Sequence, residues 1–389
     1  MPRSYAEGMA VFGLWARGAL VAKSEDNNAM SHSFLRPDLS SLPAYVAGQP
    51  ALDPAVIKVA SNEMPFPTLP AVAAAITQRI GMLNRYPDMA NEVLRSAIAA
   101  HHEVSIECVV VGNGSTALIE DVLTALCVPG DEVVIPWRSF EAYPIAIQVA
   151  GAQAVRVPLR DGGRLDLPRM AEAITDRTRA VLVCTPNNPT STALTHSELA
   201  EFVRLVPEHI PVIIDEAYGD FLRMDDPVRG IELACNAPNV LSLRTFSKAY
   251  ALAGIRVGYA VGAHELIRAL HLVGTPFGVN MLAQSAAVAA LQQREEVMRR
   301  CEVICSERDK LVAALRALGW KGPAPQGNFL WFATGEETAR FERLCRAEGI
   351  IVRAFSDEGV RVTVAEPEAS LRLVRAYKAF RASNAEENR

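Results

Sequence analysis

The chain has 389 residues, half of them hydrophobic and 21% charged, with a formal net charge of −5. That length exceeds what one core usually fills, so two or three domains, or a large domain with a smaller one attached, are expected. The negative balance gives no electrostatic footing for nucleic acid, whose affinity rests on basic clusters.

In chain order, Met9 to Ala22 is mostly apolar, but Arg17 interrupts it. No cleavage site follows, and the run is too short to span a membrane. Met30 stands just before folded-protein patterning begins. Residues 1–32 therefore read as a disordered extension or an over-called start. Residues 33–60 read as an arm that packs with the second domain. No later segment is long and apolar enough to be transmembrane.

From residue 108, short apolar runs alternate with helical stretches. CVVV (108–111) reads as a strand, STALIEDVLTALC (115–127) as a helix, and Pro129-Gly130-Asp131 as a turn. EVVI (132–135), AVLVC (180–184), PVIID (211–215), NVLSLRT (239–245) and IRVGYAV (256–262) read as further strands. Runs apolar on both faces and spaced by helices predict an α/β domain, a largely parallel sheet covered on both sides. One long helical region is expected over 282–318, broken by GWKGPAPQGN (319–328). FLWF, a helix near 336–347, IIVR, GVRVTV and a final helix suggest a smaller α+β domain. The expected division is 61–281 for the large domain and 282–389 for the small one.

The seven cysteines are scattered without a CxxC pair, so neither a disulfide framework nor a zinc ribbon is expected. Buried thiols in a reducing cytoplasm are the plain reading. The seven histidines form no metal-ligand spacing, so no metal is expected. His101-His102 reads as a solvent-exposed helix end.

Four segments carry chemistry. Gly112-Asn113-Gly114-Ser115-Thr116-Ala117 follows a strand and opens a helix, where free N–H groups and the helix dipole favour a phosphate. The string also fits GxGxxA, so a dinucleotide site is a rival, weakened because Asp131 and Glu132 start the next strand rather than end it. TPNNPTST (185–192) places Asn187 and Asn188 at a strand's carboxyl edge. In PVIIDEAYGDF (211–221), Asp215 ends a buried strand and is either a turn cap or a carboxylate placed for a cation. In TFSKAYALAGIRVGY (245–259), Thr245, Ser247 and Arg256 suit a phosphate, and Lys248 between them suits a nucleophilic amine.

Together these segments resemble the class I and II aminotransferases of fold type I, from about residue 35 to 380. KVASNEMPF (58–66), NRYPD (84–88) and VRVTVAEPE (360–368) resemble the histidinol-phosphate aminotransferase branch. WRSFEAYP (137–144), NNPTST (187–192) and RTFSKAYALAGIRVGYA (244–260) resemble its aromatic (phenylalanine) aminotransferases, including Ser191 where most relatives carry glycine.

The resemblance implies a mostly parallel seven-stranded sheet in the large domain and pyridoxal 5′-phosphate as cofactor. It implies that Lys248 holds the cofactor as a Schiff base and later shuttles a proton. Asp215 would pair with the pyridinium nitrogen, and Tyr218 and Asn188 would hydrogen-bond the ring's phenolic oxygen. Phe140 would stack on the ring. Gly114, Ser115, Thr116, Thr245, Ser247 and Arg256 would form the phosphate site, with Tyr86 reaching in from a partner subunit. A cytoplasmic homodimer with shared sites is thus implied. Arg361 would clamp the substrate carboxylate, with Tyr45 and Trp137 as pocket-lining residues and Asn188 also near substrate. The expected reaction is ping-pong transfer from phenylalanine, tyrosine or tryptophan to 2-oxoglutarate. Histidinol phosphate is the alternative substrate. A nicotinamide-dependent oxidoreductase built on Gly112–Ala117 and a non-catalytic binding protein are the alternatives of other classes.

Overall fold

The computed structural model describes residues 53–387 and, before them, Arg36, Leu39 and Leu42. Tyr45 and the 1–32 extension lie outside the described residues.

The strands are β1 (Ile57–Lys58), β2 (Val109–Gly112), β3 (Glu132–Trp137), β4 (Gln153–Pro158), β5 (Thr178–Cys184), β6 (Val212–Asp215), β7 (Val240–Thr245), β8 (Gly258–Gly262), β9 (Phe329–Phe332), β10 (Ile350–Ile351), β11 (Arg353–Phe355) and β12 (Gly359–Thr363). The helices are α1 (Pro70–Ile80), α2 (Glu92–His102), α3 (Ser115–Leu126), α4 (Ala142–Val149), α5 (Leu167–Glu172), α6 (His196–Leu205), α7 (Gly230–Asn236), α8 (His264–Val273), α9 (Met281–Gln292), α10 (Arg294–Ala317), α11 (Thr338–Ala347) and α12 (Pro367–Glu387).

A seven-stranded sheet runs in the order β2-β8-β7-β6-β5-β3-β4. Only β8 is antiparallel to its neighbours, so the expected mostly parallel sheet is what forms. Along β5, Ala180, Leu182 and Cys184 enter the core beneath α3, α4 and α8, while Val181 and Val183 enter the core beneath α5, α6 and α7. Covering both faces is why these strands read as continuous apolar runs rather than alternating ones.

Two expectations shift. The strand expected at 256–262 begins at Gly258, because Arg256 adopts a left-handed turn at φ 61°. A side chain at Gly258 would press on the backbone of Gly114 and Ser115, so glycine here lets β8 lie against that turn. The helical region expected over 282–318 is two helices, since Gln293 leaves helical geometry at φ −102°, ψ 25°. The edge strand β4 escaped the sequence reading because Gln153, Arg156 and Pro158 are exposed and only Val157 is fully buried, so no continuous apolar run marks it.

The remaining strands form a three-stranded antiparallel sheet, β11-β12-β9, and a parallel pair of β1 with β10. The β1 pairing ties the segment before residue 60 to the C-terminal region. Helix α9 packs mainly on α1 and α2. The core of the three-stranded sheet is continuous with that under β2 and β8.

The cysteine expectation holds in the main: Cys127, Cys184, Cys301, Cys305 and Cys345 are buried and free, while Cys235 is exposed. His101 and His102 are not solvent-exposed. Both are half-buried, and His102 Nε2 lies 2.7 Å from the Tyr259 hydroxyl. Burial, with His101 and nearby arginines adding to it, pushes the His102 pKa down to about 3. Among the described residues, no helix is long and apolar enough to cross a membrane, and no cluster suits a metal.

Candidate active site

The parallel strands all point one way, so their carboxyl ends share one edge, where open α/β sheets present groups to ligands. Cys184 ends β5, Asp215 ends β6, Thr245 ends β7, and Gly112 ends β2 before the turn into α3. One cavity gathers Ser115, Thr116, Phe140, Asn188, Asp215, Tyr218, Thr245, Ser247, Lys248, Arg256 and Arg361. These are eleven of the sequence-derived candidates.

At one end lies an anion cradle. Ser115 and Thr116 open α3, whose N-cap Gly114 sits at φ 87°. A Cβ at Gly114 would collide with the Arg256 guanidinium. Glycine is thus required twice there, for backbone geometry and for the arginine's approach. Arg256 Nη1 donates to Ser247 Oγ at 3.1 Å, and the Ser247 N–H donates to Thr245 Oγ1 at 3.1 Å. A helix N-terminus, hydroxyls and a guanidinium in one place suit a phosphate.

Asp215 is 5% exposed. The Tyr143 hydroxyl donates to its Oδ2 at 2.7 Å and the Ala217 N–H to its Oδ1 at 3.1 Å. Burial pushes its pKa up, while Tyr143, Ala217 and Lys248 oppose the rise. A carboxylate so buried, aimed into a cavity, fits a cationic ligand group better than a turn cap.

Lys248 donates to the Ser61 carbonyl at 2.9 Å, and its Nζ stands 5.6 Å from the centre of the Tyr218 ring. Burial pushes its pKa down to about 7, Arg361 and Arg256 add to the fall, and Glu63 and Asp215 oppose it. A substantial neutral fraction near pH 7 is what a nucleophilic amine needs.

Tyr218 accepts from Asn62 Nδ2 at 3.0 Å. Asn62 is fully buried in the left-handed region at φ 55°, and its N–H donates to Thr363 Oγ1 at 2.9 Å. It thereby ties the cavity to β12. Arg361 Nη1 donates to Asn188 Oδ1 and Nη2 to the Ala60 carbonyl, both at 2.6 Å.

Several expectations separate here. Asn187, named beside Asn188, faces the loop's own scaffold: it accepts from Ser139 Oγ and donates to the Arg138 carbonyl and Thr190 Oγ1. Trp137 is not among the cavity-lining residues; Arg138 and Arg156 lie over its ring at 4.4 and 4.6 Å. Tyr86 is 81% exposed and contacts Phe277, outside this chain's own cavity. Ser191 explains its own rarity. It sits at φ 62°, where glycine is easier, but its hydroxyl accepts the Gly327 N–H at 2.9 Å.

Sequence reasoning assigned no role to Ser61, Asn62, Ser139, Glu141, Tyr143, Cys184, Arg353 or Phe355, all of which line the cavity or hold residues that do. KVASNEMPF was the available signal for Ser61 and Asn62, and IIVR for Arg353; neither string says what its residues face.

Comparison with known proteins agrees with this geometry. The family description for aminotransferase class I and II matches residues 54–376. The chain belongs to the class I and II aminotransferases. It is 45% identical over 349 residues to an aromatic amino acid aminotransferase of Streptomyces avermitilis, covering 89% of this chain and 97% of that one. It is 46% identical over 349 residues to one of Corynebacterium glutamicum, covering 90% and 99%. Among solved structures it resembles the histidinol-phosphate aminotransferase of Sinorhizobium meliloti in complex with pyridoxal-5′-phosphate, with a TM-score of 0.81, 25% identity, and 92% and 99% coverage. It also resembles the aspartate aminotransferase of Thermus thermophilus with maleate, with a TM-score of 0.74, 27% identity, and 83% and 91% coverage. Membership of this aminotransferase family removes the nicotinamide oxidoreductase as a reading of the glycine turn.

Proposed function

We propose that this aminotransferase uses pyridoxal phosphate to move the amino group of an aromatic amino acid to a 2-oxo acid. The observation that carries the cofactor is the convergence in one cavity of an anion cradle, a buried carboxylate and a lysine of lowered pKa. The residues fit the group: Ser115, Thr116, Ser247 and Arg256 would hold its phosphate, and Asp215 would hold the proton on its ring nitrogen. When bound, pyridoxal phosphate supplies an electron sink for the pair left as a Cα–H bond breaks. Lys248, free of a full charge near pH 7, is the base that would take the Cα proton and return it. Tyr218, oriented by Asn62, would donate from the ring's side, and Arg361 would orient the substrate carboxylate.

Aromatic preference rests on two supports. Relatives 44–47% identical over most of the chain carry the name aromatic amino acid aminotransferase. The cavity also has the apolar walls Phe140 and Phe355. The proposed assembly is a homodimer, located in the cytoplasm. Tyr86, Met89, Leu272 and Phe277 expose apolar surface around one groove, as an interface would require. The test is a substrate panel of phenylalanine, tyrosine, tryptophan and histidinol phosphate against 2-oxoglutarate. A preference for the aromatic amino acids is expected; a preference for histidinol phosphate overturns the substrate assignment.

A further inference from the structure

Strand β7 carries buried charge that the proposed chemistry does not use. Leu241 and Leu243 enter the core beneath α3, α4 and α8, so Ser242 and Arg244 take the other face. Polar groups on a buried face are costly unless satisfied. Both find their partners in one turn, Glu216 to Asp220, which follows Asp215 and carries Tyr218.

Arg244 Nη2 donates to Asp220 Oδ1 at 3.0 Å, and Nη1 to Glu216 Oε1 at 3.4 Å. The side chains of Glu216, Asp220 and Arg244 are 1%, 12% and 19% exposed, so water and salt screen these pairs little. Ser242 Oγ donates to Glu216 Oε2 at 2.7 Å. Burial pushes the Glu216 pKa up, and Arg244 and Ser242 oppose the rise. On the β8 side, Tyr259 stands opposite Arg244, and its hydroxyl meets His102, whose lowered pKa leaves it neutral at ordinary pH. A Cβ at Gly219 would lie 2.7 Å from Arg244 Nη1, and one at Gly230 would collide with the Glu216 carboxylate. The guanidinium thus lies against the middle of the turn, beside Tyr218, with a carboxylate held at each end.

We propose that Arg244 is a positioning residue, which clasps both ends of the 216–220 turn and so sets Tyr218 over Lys248. This rests on the pyridoxal phosphate reading and adds a residue to it. Arg244 stands four residues before Lys248, so one side chain joins the segment that carries the lysine to the turn that carries the tyrosine. Lys248 Nζ is 5.6 Å from the centre of the Tyr218 ring. Asn62 holds the tip of Tyr218 through its hydroxyl, and Arg244 holds the backbone beneath it.

The test uses Arg244→Met, Asp220→Asn, Tyr218→Phe and the two double variants with Tyr218→Phe. In apoenzyme, hydrogen exchange of the peptide covering 216–221 should be about tenfold faster in Arg244→Met than in the wild type, with the peptides of β5 and α3 unchanged. In holoenzyme, loss of a donor to the ring's phenolic oxygen disfavours its anionic form. The pH midpoint of the visible absorption should therefore rise by about one unit in Tyr218→Phe. Arg244→Met should move it the same way by about half a unit and lower kcat/KM about tenfold. Added to Tyr218→Phe, it should lower kcat/KM by less than about twofold more, because it acts through Tyr218. Asp220→Asn keeps the volume and opens one end only. It should show the same pattern at about threefold, and it decides the matter where Arg244→Met does not fold. A merely structural role predicts that the two losses multiply and that the midpoint stays where it was; either result overturns the proposal. So does unchanged exchange of the 216–221 peptide. Should the wild type take up no pyridoxal phosphate, the cofactor reading fails on its own, and hydrogen exchange still decides whether Arg244 holds the turn.

Discussion

The cavity has two charged walls built in opposite ways. On the edge of the seven-stranded sheet, Ser247, Lys248 and Arg256 come from one short stretch, and the Arg256–Ser247 bond spans nine residues. On the three-stranded sheet, Arg353 reaches Glu141 across 212 residues, and Arg361 reaches Asn188 across 173 and Ala60 across 301. The first wall is set by local turns, the second by how distant segments dock.

Substitutions at three positions probe that contrast. Lys248→Ala strikes the local wall and should have the largest effect: turnover lower by roughly 10⁴-fold, with loss of the visible absorption of the holoenzyme. A colourless wild type, or colour retained in the variant, would break the assignment. The wild-type lysine also makes a pH prediction. Because burial lowers its pKa to about 7, the amine is free above that pH and protonated below it. Recapture of pyridoxal phosphate by apoenzyme should therefore accelerate as pH rises through about 7 and then level off, with a slope of about tenfold per unit below. A rise that continues toward the ordinary lysine range would refute the burial effect.

Arg361→Lys tests the assembled wall. It keeps the charge but loses the fork that spans Asn188 and Ala60. About a 30-fold fall in kcat/KM is expected for donor and acceptor alike, since both present a carboxylate there. An effect on one substrate alone would reassign the residue. The smallest change expected is at Ser191, where the loop after β5 meets Gly327. Ser191→Ala should destabilise by about 1 kcal/mol through the lost hydrogen bond. Ser191→Gly should be near neutral, because relief of the positive φ offsets that loss to within about 1 kcal/mol. Thermal or urea unfolding separates the two; equal destabilisation would mean that the backbone strain is negligible.

Legibility followed the same division. The strands of the main sheet were readable because both of their faces are buried, and β4 was not, because its edge position leaves Gln153 and Arg156 exposed and breaks the apolar run. Asp215 was readable as a carboxylate at a strand end, but Tyr143, its hydrogen-bond donor, was not, being an aromatic inside an apolar helix. Asn62 lies within KVASNEMPF, but its task depends on Tyr218 and Thr363, far away in the chain, so the string alone does not show it. The histidine pair misled because His102 lies at a polar helix end by sequence but against Tyr259 in space.

By itself, the sequence determined the chemistry of the local wall: a glycine turn at a helix start, a carboxylate at a strand end, and Ser-Lys with an arginine eight residues on. Such groups are positioned by the dihedral angles and hydrogen bonds of their own segments, and those propensities are written locally. Only the tertiary structure decided what Arg353 and Arg361 face, which asparagine of the NNP string enters the cavity, and that Lys248 is dry enough for its pKa to fall. Those outcomes depend on desolvation and on pairings between segments hundreds of residues apart, and no local pattern encodes either.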